Sequence, residues 1–116
     1  MKLKLIAALA GEDKTDALVA AARGAGATGV TIIGSGRGEG LEPAKTFLGL
    51  DFDAHCDLLL FLVVETRARE ILECLCEAGR FDEEPGAGIA FQLNIEDAVG
   101  LGTQMHTILE EAQEAL

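Results

Sequence analysis

The sequence has no tryptophan and no tyrosine, and its aromatic side chains are five phenylalanines. Nearly half of its 116 residues are hydrophobic (49%), so a core can form, but it must be built from Leu, Ile, Val and Ala. A chain of this length fits one domain, which we place at residues 1–116. Because so small a domain buries only about 60–70% of its unfolded surface, association of several copies would be a natural way to bury more.

Positive charge is also scarce. Nine Lys and Arg stand against 20 Asp and Glu, which gives a formal net charge of -11. Proteins that bind nucleic acids or anionic membranes need cations to neutralise phosphates, so this composition argues against both partners. The plain interpretation of the acidic balance is that it keeps the protein soluble.

Long apolar segments are missing as well. The longest unbroken run, residues 58–64, is far shorter than the roughly 20 residues of a membrane-spanning helix. Residues 1–6 alternate in polarity and do not form the apolar stretch of a secretory signal. The cysteines are odd in number, so we expect reduced thiols and a cytoplasmic protein; they are Cys56, Cys74 and Cys76.

Hydrophobic periodicity predicts the element order β-α-β-β-α-β and then a helix. The second helix is the best marked, with Thr66 as its candidate N-cap and its end at Gly79. The strand before this helix, residues 57–64, contains a continuous run of hydrophobic residues, which is typical of a strand buried on both faces. The predicted strands cover residues 2–10, 30–33, 57–64 and 89–95, and the predicted helices lie at about 12–25, 66–79 and 103–116.

This order is that of the split βαβ, an α+β sandwich of the ferredoxin-like type with an additional C-terminal helix. Two helices would cover one face of the sheet, and the open face would need a cover, for which a homotrimer is one solution. Two irregular segments interrupt the pattern, at residues 34–54 and 80–88. The first is long for a connection in a compact domain, and loops of that length are usually functional or disordered.

The glycine-rich stretch Gly34-Ser35-Gly36-Arg37-Gly38-Glu39-Gly40 has the chemistry of an anion site. Backbone N–H groups can approach an anion closely where no Cβ intervenes, and the Arg37 guanidinium can bind phosphate or carboxylate through two hydrogen bonds. Stretches of this kind are more often plain turns, and both interpretations stay open. Few other cations could help Arg37 to neutralise a bound anion; they are Lys45, Arg80, Lys2 and Lys4.

Metal and catalytic motifs are weaker. His55 beside Cys56 is the best pair of metal ligands, whereas Cys74 and Cys76 would lie about 200° apart around a helix and could not reach one ion together. Buried cysteines often serve only as small hydrophobic residues. No serine, zinc-protease or triad motif occurs, so we expect no enzyme.

Several segments resemble the P-II signalling family. Gly29-Val30-Thr31 leading into the glycine-rich stretch is similar to the end of that family's second strand, and Lys45-Thr46-Phe47 falls in its T-loop, here residues 34–54. Gly86-Ala87-Gly88-Ile89 is similar to its B-loop, here residues 80–88, and residues 94–99 to the segment that follows. The resemblance implies a homotrimer that binds adenine nucleotides in the clefts between subunits and docks on a partner protein through the T-loop.

Carried over by position, the resemblance implies effector contacts from two copies of the chain. One subunit would contact the effector through two segments, the glycine-rich loop (Gly36, Arg37 and Gly38) and the B-loop (Gly86, Ala87, Gly88 and Ile89). The neighbouring subunit would contact it through the start of its second strand, at Gly29, Val30 and Thr31. Lys45, Thr46 and Phe47 would contact the partner. Ala87 and Ile89 stand where the family has an acid and a lysine, and without tyrosine the uridylylation of some members is impossible.

With so few cations, AMP, ADP or a small anion is favoured over ATP as the effector, and no cofactor is required. The alternative function is a metal-responsive trimer of the divalent-cation tolerance type, which shares this fold class and would use His55 and Cys56.

Overall fold

The computed structural model describes residues 2–34, 46–47, 50–51 and 56–103, and for 46–47 and 50–51 only the backbone. The elements are β1 (Leu3–Gly11), a 3-10 turn (Glu12–Lys14), α1 (Thr15–Gly24), β2 (Val30–Gly34), β3 (Thr46–Phe47), β4 (Leu50–Asp51), β5 (Cys56–Val64), α2 (Glu65–Gly79) and β6 (Gly88–Asn94). Apart from Thr103, the helix predicted for residues 103–116 lies outside the described residues.

Four strands form one antiparallel sheet in the order β2-β5-β1-β6. The order and the two helices confirm the ferredoxin-like α+β prediction. Strands β3 and β4 pair with each other as a short antiparallel hairpin, within the segment that the sequence predicted as a loop. No described helix is long and apolar enough to cross a bilayer.

The core lies between one face of the sheet and the two helices. Alternate residues of β1 and β5 point into it, and their helix partners follow the predicted spacing; the fully buried large side chains are Ile6, Leu18, Leu59, Phe61, Val63, Ile71 and Leu75. The prediction that β5 is buried on both faces is wrong for the single chain. Leu58, Leu60 and Leu62 alternate with the buried set, lie on the opposite face and stay half-buried.

The start of α2 differs from the prediction. Thr66 is not its N-cap, because the helix begins one residue earlier, at Glu65, after an extended Val64 with no capping side chain. The Glu65 N–H instead donates to the carbonyl oxygen of Lys2, at 2.9 Å. The carbonyl oxygen of the residue before β1 therefore satisfies the first N–H group of the helix, and no side chain caps the helix start.

The end of α2 is built around the ring of Phe81. Gly79 is the last helical residue, as predicted, but the left-handed residue is Arg80, with φ 55°. A Cβ on Gly79 or on Gly88 would overlap the Phe81 ring, so the ring lies against both glycines. Glycine is needed here for close packing, and Arg80 adopts the left-handed conformation while its guanidinium pairs with Glu83 and Glu84.

Gly79→Ala should therefore lower the free energy of unfolding by about 1–3 kcal/mol through overpacking against Phe81. Gly24→Ala is the matched control, since Gly24 also ends a helix but nothing lies within 4 Å of its added Cβ. That change should be neutral or stabilising by up to about 1 kcal/mol. Urea unfolding of both variants measures the difference, and equal effects would contradict the packing role of Gly79.

Candidate functional site

Strand register brings the two predicted loops to the same end of the sheet. Gly34 pairs with Asp57, Asp57 pairs with Ala10, and Ala10 pairs with Gly88, so these four residues form one row across the four strands. Three inter-strand spacings separate Gly34 from Gly88, or about 14 Å. The root of the glycine-rich loop and the start of the last strand therefore share one edge, which we call the loop edge.

Of the predicted B-loop, Gly86 and Gly88 have different roles. Gly86 has φ 72°, and the turn around it is closed by the Ala87 N–H donating to the Glu84 carbonyl oxygen at 3.1 Å. A Cβ on Gly88 would meet the Leu9 carbonyl oxygen at 2.9 Å as well as the Phe81 ring. Gly88 is thus required by packing, whether or not it also lies near an anion. Ala87 and Ile89 are half-buried beside it.

The predicted residues of the neighbouring subunit lie apart from the loop edge within one chain. Val30 pairs with Phe61, four residues along β2 from Gly34 and therefore about 13 Å away. Gly29 precedes it and Thr31 follows it. One copy of the chain does not bring Gly29, Val30 and Thr31 next to Gly86–Ile89.

Other predicted site residues lie outside the described part of the chain. These are Gly36, Arg37 and Gly38 of the effector site, Lys45 of the partner loop and His55 of the alternative metal pair. Thr46 and Phe47 are described by the backbone of β3 alone.

Two residues at the loop edge were missed from the sequence. Asp57 Oδ2 accepts a hydrogen bond of 2.6 Å from Thr15 Oγ1, and Thr15, the first residue of α1, is buried with 8% exposure. An Asp directly before an apolar strand was the available clue, because a carboxylate at the start of a buried strand needs a partner. The pairing with Thr15 could not be read from separations along the chain.

The described cations near this edge are already paired. Lys14 Nζ donates to the carbonyl oxygen of Gly79 at 2.5 Å and lies 3.3 Å from Glu84 Oε2. Arg80 forms ion pairs with Glu83 at 2.9 Å and Glu84 at 3.2 Å. These contacts hold the turn of residues 80–87, and Glu83 and Glu84 there take part in ion pairs.

Lys2 and Lys4 are at the other end of the sheet. Both lie within 3.8 Å of Glu65 Oε2, and Lys4 Nζ also donates to Asn94 Oδ1. Of the five cations proposed from the sequence, these two and Arg80 are therefore committed to other contacts. Arg37 and Lys45 stay the candidates for an anion.

A groove of about 460 Å³ lies between α2 and the start of β6. Leu72, Phe81 and Ala90 contribute apolar surface to it, and Glu73, Glu77 and Glu83 make its rim acidic. Cys76 Sγ lies in the groove and donates to Asp82 Oδ2 at 3.2 Å. Arg69 also lines the groove, but it is paired with Glu73 at 3.0 Å, so the remaining acidic groups do not suit a phosphate.

The thiolate forms of Cys76 and Cys74 are both disfavoured. The hydrogen bond to Asp82 raises the pKa of the Cys76 thiol above its ordinary value, with burial as the next cause. Burial, followed by repulsion from Glu70, raises the pKa of Cys74. Cys56 is buried at 5% exposure, and among the described residues no group of three potential ligands could hold a metal ion. None of the three cysteines, all of which lie in the described part of the chain, forms a disulfide.

Comparison with known proteins decides the family. The model of the nitrogen regulatory protein P-II family matches residues 3–105. The chain belongs to the P-II family. Proteins of this family are regulators that form trimers and bind small effectors and partner proteins. A search of curated proteins gives no match.

Solved structures agree with this family. A protein from Thermus thermophilus classed as PII-like in signalling is 28% identical, with a TM-score of 0.57 over 82% of this chain and 91% of its own. The protein CPII from Thiomonas intermedia, solved with ADP, AMP and acetate, is 20% identical, with a TM-score of 0.55 over 84% of this chain and 94% of its own. At that identity the second protein supports the fold alone.

Asp82→Asn should make Cys76 react faster with iodoacetamide near pH 8. Because the carboxylate that stabilises the protonated thiol is lost, the pKa of Cys76 falls and its thiolate fraction rises. Peptide mass spectrometry can follow each cysteine separately. Glu96→Gln, an exposed change far from the groove, is the control and should leave the rate unchanged. An unchanged rate in Asp82→Asn would contradict the role of this hydrogen bond.

Proposed function

We propose that this P-II family member is a homotrimeric, cytoplasmic, non-enzymatic signalling protein that binds an adenine nucleotide between subunits and reports its occupancy to a partner protein. The whole chain, residues 1–116, acts as one domain. The observation that carries the proposal is the shared loop edge, where the root of the glycine-rich loop and the B-loop segment lie at the same end of the sheet, in a chain of the P-II family.

The open face of the sheet supports the trimer. The helices leave this face uncovered, and it is apolar along β1, β5 and β6, with Phe91 37% and Leu93 45% exposed. Half-buried leucines extend the apolar surface between them; they are Leu5, Leu9, Leu58, Leu60 and Leu62. A patch of this kind on a small domain marks an interface, since monomers rarely expose contiguous apolar surface.

Leu93→Lys should break this assembly, because a buried charge at an apolar interface is strongly unfavourable. Val99→Lys is the matched control, since Val99 is 97% exposed and lies beyond the strand. Light scattering after size exclusion should give three times 12.2 kDa, or about 37 kDa, for the native protein and the control. A native monomer, or a trimer in Leu93→Lys, would contradict the proposed interface.

The effector site joins two copies. One subunit contacts the effector through Gly36, Arg37 and Gly38 and through Gly86–Ile89. The neighbouring subunit contacts it through Gly29, Val30 and Thr31. A second copy is needed because one chain keeps Val30 about 13 Å from Gly34 along β2. The ADP and AMP bound to the Thiomonas protein support an adenine nucleotide as the effector.

We place the anion at Arg37, whose guanidinium can form two parallel hydrogen bonds to a phosphate. The described cations near the loop edge are in ion pairs, so AMP or ADP is favoured over ATP. Binding would order the segment of residues 34–54 by stabilising one of its states, and Lys45, Thr46 and Phe47 would then contact the partner.

Arg37→Ala should weaken AMP and ADP binding at least tenfold while leaving the trimer and its melting temperature intact, because a charge-assisted pair contributes about 1.5–3 kcal/mol. Isothermal titration calorimetry measures the affinities, and Arg23→Ala, an exposed cation at the end of α1, is the control. Unchanged affinity in Arg37→Ala would place the anion elsewhere.

The same preparation tests the metal alternative. If no nucleotide binds to the native protein and the purified trimer contains a divalent metal that His55→Ala removes, the function is metal response through His55 and Cys56.

A further inference from the structure

The groove between α2 and β6 opens on the helix side of the sheet, away from the proposed trimer interface. Ala90, which lines it, pairs with the fully buried Ala8 and so lies on the helix face of β6. Phe91 and Leu93 alternate with Ala90 along the strand and lie on the opposite face. Assembly of the proposed trimer through that opposite face therefore leaves the groove uncovered.

A helix and the edge of a strand form the two sides of the groove. On α2, the lining positions 69, 72, 73 and 76 lie three and four residues apart and hence on one helical face. Opposite them, β6 is an edge strand in the described part of the chain, where it pairs with β1 alone. An edge strand presents backbone N–H and C=O groups to which an extended peptide can be added as a further strand. Alternate side chains of such a peptide would enter the groove.

Part of the groove is apolar. Leu72, Phe81 and Ala90 line it, and each is half-buried, so part of its surface is left for a ligand. The volume of about 460 Å³ lies within the range of about 300–1,000 Å³ that is usual for ligand pockets. Aliphatic side chains that enter the groove would remove apolar surface of both molecules from water.

The rim of the groove carries negative charge that no cation of the described residues neutralises. Arg69 is paired with Glu73 at 3.0 Å. Glu77 and Asp82 also line the groove, and neither takes part in an ion pair among residues 2–34 and 56–103. Asp82 accepts the hydrogen bond from Cys76 Sγ at 3.2 Å. A ligand in the groove therefore meets two carboxylates that its own cations would have to neutralise.

The remaining segments of this chain do not match that charge. Residues 104–116 contain three Glu and neither Lys nor Arg, and residues 35–55 contain four acidic residues against Arg37 and Lys45. A second copy of the chain carries the same net charge of -11. The groove therefore suits a segment of a different, basic protein.

We propose that this groove binds an extended, basic segment of another protein, which adds to β6 as a further strand. Its apolar side chains contact Leu72, Phe81 and Ala90, and its Lys or Arg side chains contact Glu77 and Asp82. This docking surface is separate from the partner loop of the proposed function, and it needs no effector.

A capped, fluorescently labelled peptide tests the proposal. It has seven residues, as β6 has, with lysine at both ends, leucine at the third and fifth positions and threonine at the even positions. This alternation places lysine and leucine together on one face. Fluorescence anisotropy measures its affinity for the native protein without nucleotide. Two further peptides separate the contributions, one with glutamate in place of both lysines and one with every backbone nitrogen methylated.

We expect the lysine peptide to bind and the other two to bind at least about tenfold more weakly, because one loses the opposite charge and the other loses its backbone donors. Equal binding of the methylated peptide would show attraction between charges without strand addition and would overturn the proposal. Absence of binding by the lysine peptide would overturn it as well.

Variants and hydrogen–deuterium exchange locate the peptide. Glu77→Gln should weaken binding of the lysine peptide about two- to fivefold. Glu96→Gln, which removes the same charge from an exposed position outside the groove, should leave the affinity unchanged. On peptide addition, exchange should slow at residues 88–94 and stay unchanged at residues 30–34, the other edge strand of the four-stranded sheet. Equal effects of the two variants, or protection at residues 30–34 instead, would place the peptide elsewhere and overturn the proposal.

Discussion

Strand β1 pairs along almost its whole length with β5 on one side and with β6 on the other, and these two registers fix the rest of the structure. They set which residues face the helices, because a shift of one residue would turn Ile6 and Phe61 out of the core. They also set which ends of the strands meet. The loop edge, with Gly34, Asp57 and Gly88 in one row, is a consequence of the same hydrogen bonds that form the core sheet.

Charge is distributed unevenly over this frame. Lys14 and Arg80 tie the turn of residues 80–87 to the helices, and Lys2 and Lys4 pair with Glu65 at the opposite end. In a chain of net charge -11, cations used in this way cannot also neutralise a ligand. The anion chemistry of the proposed site then falls to Arg37 and to backbone N–H groups.

The sequence was sufficient to predict the element order, because the spacing of hydrophobic residues is a local property. Hydrophobic residues recur every two residues in the strand at 89–95 and about every 3.6 residues along the buried face of α2. The sequence was insufficient where the conformation or role of a residue depends on a partner far away along the chain. Thr66 was predicted to cap α2, but the helix begins at Glu65, whose N–H donates to the distant Lys2 carbonyl oxygen. The contacts of Phe81 and Leu9 that require glycine at position 88 were also not visible in the sequence. The hydrogen bond between Thr15 and Asp57, 42 residues apart, has no local pattern at all.

In the proposed function, three separate segments form one effector site between copies of the chain. Hydrogen–deuterium exchange with and without saturating ADP tests this arrangement, because each segment can be followed in its own peptide. We expect slower exchange at residues 29–31, 34–38 and 86–89 together, with the exposed face of α2 unchanged. Protection confined to the groove beside Cys76, or no protection anywhere on ADP addition, would contradict it.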